Sequence, residues 1–295
     1  MKSNNNLVDI SRQVRINILD ALFSAQSGHP GPSLSVVEIV TTLFFKEMNF
    51  GEIYASQEGE YEDPLIGLSL NPNYMKDECN HDVLILSKGH AAATVYASLA
   101  EMDLITHDDL KTLREIGSKL QGHLVRGTLP LVSASTGSLG QGLSIGIGRA
   151  IGSKLKKDNR KIFVIVGDGE SQEGQIWEAI MSAPKFKLNN LVVIVDYNKF
   201  QNDGAVKDTM PLEPLFDKWK SFGWHTKEID GHNIDDLIQA FKEANDEKIK
   251  PSCIIAHTVK GKGVSFMENN MVWHSKAMSD DEYGSAINEL RGDIL

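Results

Sequence analysis

Cysteine is nearly absent from this 295-residue chain, and its two cysteines, Cys79 and Cys253, stand far apart. So few thiols exclude a disulfide framework and the paired spacings of a zinc ribbon. No apolar run approaches the roughly 20 residues that a membrane-spanning helix requires. The opening segment, Met1-Lys2-Ser3-Asn4-Asn5-Asn6, leads into no apolar signal core, so nothing in it directs export. Basic charge is also scarce: 30 Lys and Arg against 40 Asp and Glu leave a net charge of −10. A nucleic-acid partner calls for a basic stripe. The nearest approach, Lys154, Lys156, Lys157, Arg160 and Lys161, reads as a solvated helix end favoured by the helix dipole. These shortages point to a cytoplasmic globular protein with neither nucleic acid nor membrane as partner.

What the chain does have is ordinary globular composition, 41% hydrophobic and 24% charged. Its length suits one large domain with a substantial core. Apolar periodicity predicts an amphipathic helix over 7–25, with Val14, Ile18 and Phe23 among its apolar positions. Short apolar runs bounded by turn residues then recur at 83–86, 162–166, 191–195 and 253–256. Such runs read as parallel strands buried on both faces. Helical patterns lie between and around them at 91–102, 141–154, 173–186 and 234–244, with a helix-like tail at 279–295. Strands alternating with helices predict an α/β fold: a doubly wound, mostly parallel sheet flanked by helices, forming a single domain over 1–295. The acidic, aperiodic stretch 51–80 reads as a surface excursion.

Chemistry concentrates at the predicted strand ends. The run Ile162-Phe163-Val164-Ile165-Val166 is followed by Gly167-Asp168-Gly169, which sets a carboxylate just past a central strand. Open α/β sheets bind ligands there, and flanking glycines allow close backbone approach. After another apolar run comes Asp196-Tyr197-Asn198-Lys199-Phe200-Gln201. Asp168, the Asn198 side-chain oxygen and a nearby backbone carbonyl form a donor set suited to Mg²⁺, which wants oxygen ligands and keeps room for phosphate and water. The second signal is Ser135-Thr136-Gly137-Ser138-Leu139-Gly140-Gln141-Gly142 leading into a helix. Exposed amides at a helix N-terminus make a natural diphosphate cradle. The spacing of Gly140, Gly142 and Gly146 also resembles a dinucleotide fingerprint, but the segment before it is too polar and short for the strand that motif needs.

Histidines supply the third signal. Gly28-His29, Gly89-His90 and Gly122-His123 each set a histidine after glycine at an element end. His274 stands in Val272-Trp273-His274-Ser275, after the glycine-rich Val259-Lys260-Gly261-Lys262-Gly263. None forms an HExxH pattern, so metal-assisted hydrolysis is not favoured. With an ordinary pKa near 6.5, imidazoles suit proton transfer close to neutral pH. His81, His107, His225, His232 and His257 read as structural or exposed.

Ser27-Gly28-His29-Pro30-Gly31, Leu86-Ser87-Lys88-Gly89-His90, Ser135 to Gly142, Gly167-Asp168-Gly169 with its distant Asn198, and Gly223-Trp224-His225 before Asp230-Gly231-His232 occur together and in order. In this combination the chain resembles the N-terminal, thiamine-diphosphate-binding half of the transketolases, from about residue 7 onwards. The resemblance implies thiamine diphosphate with Mg²⁺, for which Ca²⁺ or Mn²⁺ could substitute. Its metal ligands would be Asp168, Asn198 and the carbonyl of Phe200. Gly137, Ser138, Leu139, Gly167 and Gly169 would line the diphosphate, with Lys260 as a basic contact. His29 would meet the donor sugar, His90 and His274 would flank cofactor or substrate, and His123 would face the reacting centre. Glu173 matches an acid at a subunit contact.

Transketolases take their activating glutamate from a second, pyrimidine-binding domain. The resemblance therefore implies a split enzyme, with a companion subunit supplying that domain in an α₂β₂ heterotetramer and sugars or sugar phosphates as substrates. Two departures bear on substrate choice: the length of 51–80, and Leu124-Val125-Arg126 after His123 where the family has proline and an acid. Three other readings stand beside this one: the α subunit of a 2-oxoacid dehydrogenase, a non-catalytic cofactor-binding paralogue, and a nicotinamide-dependent oxidoreductase.

Overall fold

The computed structural model describes residues 4–50, 61–63, 68–70 and 81–292. The chain opens with α1 (Asn4–Ala25), followed by two six-residue helices, α2 (Pro30–Ser35) and α3 (Val37–Thr42). Two three-residue strands, β1 (Tyr61–Asp63) and β2 (Leu68–Leu70), pair antiparallel. Apart from that pair, the expected excursion at 51–80 lies outside the described residues. The main sheet begins with β3 (Val83–Leu86), which leads to α4 (Ala92–Glu101) and later α5 (Gln141–Lys156). Then come β4 (Ile162–Gly167), α6 (Gly174–Lys185), β5 (Leu191–Tyr197), β6 (His225–Asp230), α7 (Ile234–Asp246), β7 (Ser252–His257) and α8 (Asp280–Arg291).

The five long strands form one sheet in the order β3-β4-β5-β7-β6, and every pairing is parallel. Alternate residues feed two separate cores. Phe163, Ile165, Val192 and Ile194 pack on the face covered by α1, α3, α4 and α7. Ile162, Val164, Val193 and Val195 pack on the opposite face, against Leu143, Ile147, Ile176 and Ile180 of α5 and α6. Burial on both faces is why β3, β4 and β5 appear as uninterrupted apolar runs.

Local signals set the helix ends. Pro at the first position starts α2, where a missing N–H costs nothing. Asn233 caps α7 by accepting from the N–H groups of Asp235 and Asp236. Ser279 and Glu282 cap α8 reciprocally, and Gly292 closes it at φ +78°. Two features differ from the expected pattern. The segment Pro30-Gly31-Pro32, which carries no helical periodicity, begins a fully buried helix. β6 has no apolar run, since this edge strand, unlike the buried edge strand β3, is only partly covered and can carry His225, Lys227 and Glu228.

Candidate functional site

The C-terminal ends of β3, β4, β5 and β7 come level along one side of the sheet, where ligands settle in open α/β folds. They deliver Lys88, Asp168, Asn198 and Lys260 into one cleft of about 390 Å³, and α2 brings His29 to the same place.

Asp168 is 2% exposed. Its carboxylate accepts from the backbone N–H of Gly169 at 2.7 Å and from that of Lys199. Burial, together with the neighbouring Asp196 charge, pushes its pKa up to about 7. The Asn198 amide is oriented by Asp196: Nδ2 donates to that carboxylate at 2.9 Å, while Oδ1 accepts from the Phe200 N–H at 3.1 Å. The Phe200 carbonyl accepts from Lys260 Nζ at 3.1 Å. Among the described residues no cluster of three or more His, Cys, Asp or Glu forms a metal cage. A carboxylate, an amide oxygen and a carbonyl lining one cleft instead fit a hard cation that also keeps phosphate and water ligands. The high pKa of Asp168 marks a buried acid short of positive charge, which agrees with that donor set.

Glycine makes the cleft passable. At Gly137 the backbone has φ +139°, and an added Cβ would stand 3.0 Å from the His123 ring. One at Gly169 would stand 2.9 Å from Gln201 Cβ. Leu139, Gly167 and Glu173 also line the cleft, whereas the exposed Ser138 lies between two lining residues without lining it. Glu170 ties the two glycine-rich turns together. Its buried carboxylate accepts from the N–H of Gly140 at 2.9 Å, from the N–H of Gly167 at 3.0 Å and from the Ser87 hydroxyl.

The four histidines from separate parts of the chain converge. The His29 ring centroid lies 5.3 Å from that of His90, 5.6 Å from His274 and 6.5 Å from His123. His90 and His274 stack at 5.3 Å. His29 Nδ1 is buried without a hydrogen-bond partner. An orphaned polar atom on a ring that lines the cleft is a ready contact for a ligand. The rings do not keep the ordinary pKa expected from sequence. Burial, followed by the nearby charges of Arg114, His123, Lys260 and Lys88, lowers His29 to about 4. Burial and Lys260 lower His274 to about 3, and His90 and His123 shift the same way. All four rings are therefore neutral in the free chain at neutral pH. An anionic ligand would oppose these cations and raise the four pKa values. Lys260 donates to His274 Nδ1 at 2.7 Å, and burial lowers its own pKa to about 8.

Four residues of the site escaped sequence reasoning. Lys88, Asp196 and Glu170 all stand inside or beside recognised motifs, so proximity in sequence was the available signal. Arg114 had none. Its φ is +66°, and it rests against Gly28 and Gly122, the glycines that precede His29 and His123.

Residues 66–292 match the family model for the transketolase thiamine diphosphate binding domain. This chain belongs to the transketolase family. It is 37% identical over 286 residues to a 6-deoxy-6-sulfo-D-fructose transketolase subunit of Clostridium sp. (strain MSTE9), covering 96% of both chains. It is 39% identical over 270 residues to one subunit of the apulose-4-phosphate transketolase of Actinobacillus succinogenes, covering 91% of this chain and 89% of that one. Human transketolase is 36% identical over 293 residues, which are 98% of this chain and 42% of the human one. Among solved structures, transketolase from Campylobacter jejuni superposes with a TM-score of 0.84 at 27% identity. The match covers 98% of this chain and 43% of the Campylobacter chain. This transketolase-family chain thus corresponds to the cofactor-binding portion of longer relatives, and to nearly the whole of relatives named as subunits.

Proposed function

We propose that the chain is the diphosphate- and metal-holding subunit of a two-component transketolase, which moves a two-carbon ketol unit from a ketose or ketose phosphate to an aldose. The observation that carries this reading is the convergence of His29, His90, His123 and His274 on the cleft that holds Asp168, Asn198 and Phe200. In it, Asp168, Asn198 and the Phe200 carbonyl hold Mg²⁺, with Ca²⁺ or Mn²⁺ able to replace it. The backbone around Gly137, Ser138, Leu139, Gly167 and Gly169 receives the diphosphate, with Lys260, His90 and His274 beside it. Thiamine diphosphate, when bound, supplies the electron sink that lets a ketose break next to its carbonyl.

The chain's own part is placement and proton handling. His29 and His123 line the same cleft, where the hydroxyls of a sugar would meet neutral imidazoles able to donate one hydrogen bond and accept another. Lys260 contributes a cation that is only partly solvated, which strengthens its attraction for phosphate. The residues form one domain that works in the cytoplasm. Subunit-type relatives support a companion bearing the pyrimidine-binding domain, and an α₂β₂ assembly is the expected arrangement. No helix among the described residues is long and apolar enough to cross a membrane.

The test is co-expression with the companion subunit, followed by assay of ketol transfer from several ketoses to aldoses in the presence of thiamine diphosphate and Mg²⁺. Activity from the pair and none from either chain alone is the expected result. Oxidative decarboxylation of 2-oxoacids without ketol transfer would replace this reading with the dehydrogenase one.

A further inference from the structure

Lys260 owes its position to its backbone. Its stem is flexible, yet its ammonium meets both His274 and the Phe200 carbonyl while the residue is only 1% exposed. The loop carrying it leaves β7 and is anchored on both sides of the lysine. Before it, the Val259 N–H donates to His232 Nε2 at 2.8 Å. After it, the Lys262 carbonyl accepts from Arg15 Nε at 2.8 Å. The two anchors meet at Glu38, whose carboxylate takes both Arg15 nitrogens, at 2.6 and 2.8 Å, and lies 2.9 Å from His232 Nδ1. We propose that Arg15, Glu38 and His232 are positioning residues, a triad that holds the Lys260 loop in register with His274 and Phe200. None of the three lines the cleft, so any effect on the site passes through the backbone.

The bonding pattern fixes the His232 tautomer. Nε2 accepts from Val259 and so carries no proton, which leaves Nδ1–H to donate to Glu38. The surrounding glycines show how closely the parts are fitted. A Cβ at Gly231 would stand 2.5 Å from Thr258 Cγ2, so the turn after β6 lies directly on the end of β7. A Cβ at Gly263, where φ is +97°, would stand 2.8 Å from Arg15 Cδ. The loop is also fastened to the SGHPG segment, where the Gly261 N–H donates to the Gly31 carbonyl at 3.1 Å. The triad thus joins α1, α3, the turn after β6 and the loop after β7 around one cation.

The link to ligand binding rests on the reading of Lys260 as a cofactor contact, so the experiment has two arms. His232→Asn keeps a donor for Glu38 and removes the acceptor for Val259; His232→Gln can keep that acceptor. The first arm follows deuterium exchange at Val259 in the chain without cofactor. The second measures thiamine diphosphate affinity by calorimetry in the assembled enzyme with Mg²⁺. In His232→Asn, exchange at Val259 should quicken at least about 10-fold and the dissociation constant should rise about 10-fold, the usual scale for groups that orient a ligand's contacts. His232→Gln should stay within about 3-fold of wild type on both counts. If His232→Asn does not fold, Glu38→Gln replaces it, because weakening the Arg15 and His232 contacts together should give the same two changes. Unaltered exchange, equal effects of Asn and Gln, or faster exchange with unchanged affinity would each overturn the triad. A wild-type assembly that binds no thiamine diphosphate would instead remove the functional reading, while the exchange contrast still decides the anchor.

Discussion

The Lys88 ammonium and the Asp196 carboxylate form an ion pair beneath the cleft, with side chains 2% and 0% exposed. The pair joins the end of β3 to the end of β5. Asp196 also accepts from Ser35 Oγ at 2.7 Å, from Asn198 Nδ2 at 2.9 Å and from the Thr258 hydroxyl. Burial alone would push its pKa up, but the Lys88 charge and these hydrogen bonds hold it below the ordinary carboxylate value. The same carboxylate that neutralises Lys88 turns the Asn198 amide oxygen away from itself, so ion pair and ligand orientation are one structure.

Removing one member of such a pair leaves a buried charge without a partner, which costs about 3–5 kcal/mol. Asp196→Asn should therefore lose stability on that scale in chemical denaturation. It should also free the Asn198 amide to rotate, weakening the cation site beyond the loss of stability. A loss below about 1 kcal/mol would mean that water or another anion already serves Lys88.

His29 and His274 give the free chain a defined response to acid. Folded, they are lowered to about 4 and about 3, and unfolded they return to about 6.5. Between these values the unfolded chain binds more protons than the folded one, so stability falls as pH drops from about 6.5 towards 4. Above about pH 7 these two groups should contribute no slope. Melting temperature measured against pH would show the fall, and His29→Gln should make it shallower. An unaltered slope in that variant would show that His29 is not held neutral.

The apolar strands were legible because a strand buried on both faces must be apolar throughout, and Val83–Leu86, buried although it lies at the sheet edge, agrees with its sequence reading residue for residue. The edge strand His225–Asp230 lacked that constraint and left no run to read. The recognised motifs carried His29, His90, His123, Asp168 and Asn198 into one cleft. Residue type could not show that Lys88, Asp196 and Glu170 are buried, since a charged side chain is normally exposed and its burial depends on partners distant in sequence. The imidazole pKa values were hidden for the same reason: desolvation is a property of the assembled cleft.

Gly137 offers a test of geometry with little change in chemistry. Its φ of +139° disfavours any side chain, and a Cβ would press on the His123 ring at 3.0 Å. Gly137→Ala should cost about 1–3 kcal/mol of stability through backbone strain. It should also displace His123, lowering kcat/KM for ketol transfer more than the change in cofactor affinity accounts for. Equal activity at full cofactor saturation would indicate that the turn relaxes without moving the ring.

Asp168 and His29 stand on opposite sides of the division of labour inferred for the cleft, and paired substitutions separate them. Asp168 is the only carboxylate in the inferred cation set, so Asp168→Ala should abolish Mg²⁺-dependent binding of thiamine diphosphate by calorimetry in the assembled enzyme. His29 is not in the inferred cation set, and its buried Nδ1 has no hydrogen-bond partner. His29→Ala should leave cofactor affinity within about 3-fold of wild type while lowering kcat/KM for the ketose donor about 10²–10⁴-fold, the range for loss of a proton-handling group. If Asp168→Ala still binds the cofactor in a metal-dependent way, the cation lies elsewhere. If His29→Ala instead loses cofactor affinity and keeps its donor profile at saturation, the ring belongs to the diphosphate side of the cleft and another histidine meets the sugar.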